Sequence, residues 1–109
     1  MNAETLDTLR RDMTAAAASL ADAENGAKSA YESMLTAALP IANAVEEDRP
    51  VADSAVTAFR IRREALSVEF NRADLARERF HRAADRFHAA ESQNRAAVLA
   101  DERRLQEGR

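Results

Sequence analysis

A chain of 109 residues, 46% hydrophobic and 32% charged with a net charge of −3, is long enough for one domain only. It holds no cysteine, which excludes disulfides, thiolate metal sites and cysteine nucleophiles. Its two glycines and two prolines leave little material for the turns of a sheet. Alanine, leucine, glutamate and arginine fill most of the rest and are good helix formers, so the expected fold class is all-α.

The first predicted element is a helix over about 4–47. From Leu6 a heptad runs without a slip. Leu6, Met13, Leu20, Ala27, Met34 and Ile41 form one line, and Leu9, Ala16, Ala23, Ala30, Ala37 and Ala44 the other. The register passes through Asn25 and Gly26 unchanged, so Gly26 reads as a weak point costing about 1 kcal/mol relative to alanine, not as a turn. Pro40 removes one backbone hydrogen bond and is expected to bend the helix near its end or to restart it. The chain should reverse at about 48–50, within "VEEDRPVADSAV", where Pro50 suits a first helical position and Asp48 or Asp53 can cap.

A second helix is predicted over about 51–107. One of its lines reads Val56, Arg63, Phe70, Arg77, Ala84, Glu91, Val98 and Leu105; the other reads Phe59, Leu66, Ala73, Phe80, Phe87 and Asn94. Folding the chain back pairs residues whose numbers sum to roughly 97, so Phe59 meets Ala37, Leu66 meets Ala30, Phe70 meets Ala27 and Phe80 meets Ala16. Large side chains of one helix then lie over small ones of the other, as close antiparallel packing requires. The same register sets Glu24 near Arg72. The expected architecture is an antiparallel, coiled-coil-like two-helix hairpin, a single domain over 1–109. Such a hairpin leaves Ile61, Val68 and Leu75 facing water as a third apolar line, and Val98, Leu99 and Leu105 lie past the reach of the first helix. These six are the expected partner interface, through which the hairpin would form a four-helix bundle with a second copy or pack on another helical protein.

"FHRAADRFH", residues 80–88, places Phe80 and Phe87 two turns apart on one line and His81 and His88 on the next. His81, Asp85 and His88 share one side of the helix, but two histidines two turns apart, roughly 10–11 Å, do not converge on one ion as an i, i+4 pair does. The phenylalanines account for the repeat, and neither a metal nor another cofactor is expected. Arg72, Arg79, Arg82 and Arg86 form a stripe that could touch phosphates, yet Glu69, Asp74, Glu78 and Asp85 are interleaved with it. A solvated, salt-bridged face is the expectation, and nucleic acid is only the alternative partner. No glycine-rich phosphate loop, nucleophile elbow or converging Ser/His/Asp set is present, so an enzyme is not expected.

The longest uncharged stretch, 33–45, contains Pro40 and is too short to span a bilayer. Glu4, Asp7, Arg10, Arg11 and Asp12 interrupt any apolar N-terminal run. The expected location is therefore the cytoplasm, or outside the cell by a leaderless route.

The stretch "HRAADRFHAAESQNRAA", in a cysteine-free helical hairpin of this length, resembles the second helix of the WXG100-type small substrates of type VII (ESX) secretion. In that family an aromatic residue followed four places later by an acid forms the export signal, and Phe87 and Glu91 fall on that motif. The turn here reads "EEDRPV" in place of the family's Trp-x-Gly, and Phe stands where Tyr is usual. The resemblance implies a non-enzymatic, partner-bound, exported hairpin. Hairpins of similar outline also serve as stalk proteins of type III export and as phage-encoded adaptors or inhibitors.

Overall fold

The computed structural model of the protein describes residues 3–108, with side chains from Thr5 onward. Two helices, α1 (Ala3–Glu46, 44 residues) and α2 (Asp53–Glu107, 55 residues), pack as a hairpin, and the described residues contain no strand. Helix α1 runs unbroken through both Gly26 and Pro40. Pro40 is exposed, as is Thr36, whose carbonyl loses its amide partner, so both lie where water is at hand.

The reversal is built from backbone geometry. The Asp48 amide donates to the Val45 carbonyl at 3.2 Å and the Arg49 amide to the Ala44 carbonyl at 2.7 Å. With Asp48 in the left-handed region at φ 54, this is the paired bonding of a Schellman ending, which satisfies two carbonyls the last turn would leave orphaned. Asp48 thus closes α1 and does not open α2. Pro50 then bars Arg49 from helical backbone and lies outside both helices, not at a first helical position. The Ala52 carbonyl accepts from Ala55 at 3.0 Å and Val56 at 3.2 Å, so α2 opens at Asp53, whose carboxylate suits the positive end of the helix dipole. Glycine carries no Cβ to crowd the left-handed position. Asp48→Gly should therefore raise stability by about 0.5–1 kcal/mol, visible as a higher urea midpoint at unchanged slope.

Packing divides into two units, Ser19–Ala76 and Met1–Ala18 with Arg77–Arg109. In the first, Ala23, Ala73 and Ala76 form a core on which Leu20 packs, and Ala27, Ala44 and Leu66 are also buried. Gly26 against Glu69 and Arg10 over Phe87 match the expected register to within two residues. A core made chiefly of alanine lets the two backbones approach closely. Gly26 marks one such approach: a Cβ there would stand 2.6 Å from Glu69 Oε2, so the missing side chain is the space the Glu69 carboxylate occupies. In the second unit, Phe87 and Ala90 are buried, Phe80 and Ala83 half-buried, and Leu6, Leu9, Met13 and Ala16 of α1 half-buried. From residue 95 to residue 108 every side chain is exposed.

Both expected lines of α1 are buried or half-buried wherever described, and so is the phenylalanine line of α2 from Phe59 to Asn94. The second line of α2 follows the expectation at Val56, Ala84 and Glu91, which are half-buried, and departs from it elsewhere. Arg63, Phe70 and Arg77 are exposed, Phe70 at 51%, as are Val98 and Leu105. Their place beside the phenylalanine line is taken by residues three positions after it: Ala76 and Ala90, which are buried, and Glu69 and Ala83, which are half-buried. The reason is a competition between the two flanks. Taking the guanidiniums of Arg63 and Arg77 out of water would cost several kcal/mol each, whereas burying Phe70 gains only about 1.5–3 kcal/mol. Helix α2 therefore turns its alanine flank inward, and Phe70 is carried out to solvent with the arginines.

Candidate interaction surface

Among the described residues only two large apolar side chains are buried, Leu66 and Phe87, while eleven are exposed. The exposed set is sorted by helix geometry. Within Ser19–Ala76, Tyr31 follows the buried Ala27 by four residues and Phe70 follows the buried Leu66 by four. Equal offsets on antiparallel helices project to the same side of the hairpin, so Tyr31 and Phe70 share one face, with Leu35 a turn beyond Tyr31 and Leu39 at its outer edge. Their exposures run from 47% to 57%.

Ile61, Val68 and Leu75 are exposed at 57%, 65% and 56%. They follow Phe59, Leu66 and Ala73 by two residues, which sets them on the opposite face. That face also holds an ion cluster: Arg72 reaches Asp22 Oδ2 at 2.8 Å and Glu69 Oε2 at 3.4 Å. Asp22 is two positions before Glu24, the expected partner. In the other unit, Val98, Leu99 and Leu105 are exposed on the part of α2 that extends beyond the start of α1. Tyr31, Leu35 and Leu39 were not among the expected interface residues. Their spacing of four lies beside a heptad whose two lines set the seam and leave these three outside it.

The remaining candidates take their places in this frame. His81 lies tilted against Phe80 with ring centroids 5.9 Å apart, and His88 against Phe87 at 5.6 Å, so each histidine flanks its phenylalanine at the rim of the seam. No three His, Cys, Asp or Glu side chains converge as metal ligands among the described residues. Phe87 of the export-motif candidate is buried in the seam with the Arg10 guanidinium 5.4 Å from its ring centroid, and the half-buried Glu91 accepts from Arg95 at 2.9 Å. Of the arginine stripe, Arg72 is tied to Asp22 and Glu69, and Arg82 stands 3.5 Å from Glu78; Arg79 and Arg86 are exposed. A hollow lined by Asp101, Arg104 and Leu105 draws its walls from one side of a single helix, and Asp101 and Arg104 are paired with each other. Neither described helix is long and apolar enough to cross a membrane.

Compared with protein-family models, with curated proteins and with solved structures, the chain matches none of them.

Proposed function

We propose that the chain is a non-catalytic protein–protein interaction module: a helical hairpin whose apolar faces are covered by another helical protein or a second copy, completing a four-helix bundle. The observation that carries this reading is the balance of its large apolar side chains among the described residues: two buried, ten half-buried and eleven exposed. Small domains are marginal even when well filled, and a core built chiefly of alanine gains little from burial, so covering the outer faces supplies stability that the seam lacks. The test is the native mass of the chain in extracts of its own cells, measured by size exclusion with light scattering. A mass well above the 12.0 kDa of one chain is expected. A stable, fully helical species of 12.0 kDa would end the proposal.

A further inference from the structure

The placement of Tyr31 and Leu35 of α1 on one face with Phe70 of α2, flanked by charges that enter no ion pair among the described residues, leads us to infer that this face takes a second copy of the same chain. The inference rests on the association proposed above and names its partner. The two copies are related by a two-fold axis running along the hairpin, so that α1 of each lies over α2 of the other with both reversals at the same end.

Two observations favour that occupant. The first is charge. Arg60 and Arg63 lie on the Phe70 side of α2 and enter no ion pair, and neither does Glu32 of α1. In the register set by Gly26 and Glu69, Glu32 stands level with Arg63, but it projects from the outer edge of α1 and cannot reach across its own hairpin. A two-fold along the hairpin keeps every residue at its level while exchanging the helices. Glu32 of one copy then meets Arg60 and Arg63 of the other, twice over. Lys28, on the same face, comes opposite Ser67 and not another cation. The halves of the chain have the matching bias, nine acids against four bases in residues 1–50 and twelve arginines against ten acids thereafter. Laying α1 on α2 is therefore attractive, whereas laying α1 on α1 stacks acid on acid.

The second observation is area. Tyr31, Leu35, Leu39 and Phe70, each about half exposed, offer roughly 400 Å² of side-chain surface per copy, about half of the ~800 Å² a stable interface buries on each side; the intervening backbone and arginine stems can supply the remainder. The opposite face, with Ile61, Val68 and Leu75, is the poorer seat for a copy. Covering it would strip water from the Asp22–Arg72–Glu69 cluster, which is already satisfied where it stands.

The inference is tested on the purified full-length chain by sedimentation equilibrium, with helicity followed by circular dichroism. The wild type should be a dimer at micromolar concentration, Phe70→Glu should weaken it at least tenfold, and Leu75→Glu should leave it unchanged. Arg60→Glu with Arg63→Glu in one chain, and Glu32→Arg in another, should each weaken self-association at least tenfold. Mixing those two variants should restore a one-to-one dimer, because both inter-copy contacts again join opposite charges. A helical wild-type monomer overturns the second-copy inference while leaving association with a different partner to the native-mass measurement. A dimer that survives Phe70→Glu, or one that mixing does not restore, overturns the assigned face.

Discussion

Replacing Phe87 by alanine should destabilise the hairpin by about 3–5 kcal/mol, the largest loss expected from any single truncation. Phe87 is the bulkiest side chain buried to 7% exposure, and its ring fills the seam between α2 and the N-terminal part of α1. Two terms add. The apolar transfer term is lost with the ring, and the cavity left behind cannot close fully because neighbouring alanines are too short to reach into it. The contact of Arg10 with the ring face, at 5.4 Å, goes as well, worth a further ~0.5–1 kcal/mol at an exposed site. Thermal or urea unfolding followed by circular dichroism reads the loss directly. Phe80, only half-buried on the same line, should lose less on the same truncation. A Phe87→Ala variant within about 1 kcal/mol of wild type would mean that the ring is not part of the core.

The second large effect is a contrast between neighbours. Leu66→Ala should cost about 2–4 kcal/mol, because Leu66 is 7% exposed and is the one large residue among the buried side chains of Ser19–Ala76. Phe70→Ala, four residues on and larger, should cost the isolated hairpin only about 1 kcal/mol, since half of its surface is already in water. If Phe70 lies in an interface between copies, the same substitution lowers the midpoint further at protein concentrations where the dimer is populated. Unfolding curves at two concentrations a hundredfold apart separate the cases. Equal losses at both positions at all concentrations would return Phe70 to the intramolecular seam.

The unbroken heptad from Leu6 to Ala44, with the phenylalanine line of α2, was enough to announce two helices, their antiparallel register and one buried stripe on each. Period and residue size are local properties that the chain carries into any surroundings. The flank of α2 that follows that stripe inward was not legible. Ala76, Ala83 and Ala90 recur every seven residues just as Phe70 and Arg77 do, and a heptad count cannot rank two adjacent lines. The ranking comes from the free energy of placing each line against α1. Charge hydration outweighs the burial of one aromatic ring, so the alanines go in.

The same holds at the reversal and on the surface. Pro50 and the acids around it announced a break, but Asp48 became a left-handed C-terminal cap through hydrogen bonds to Val45 and Ala44, which exist only once α1 has formed. Ile61, Val68 and Leu75 could be read as an apolar line with nothing to cover it. That Tyr31, Leu35 and Phe70 share a face required the two helices to be set side by side, because residues about forty positions apart come to one side of the hairpin only through packing.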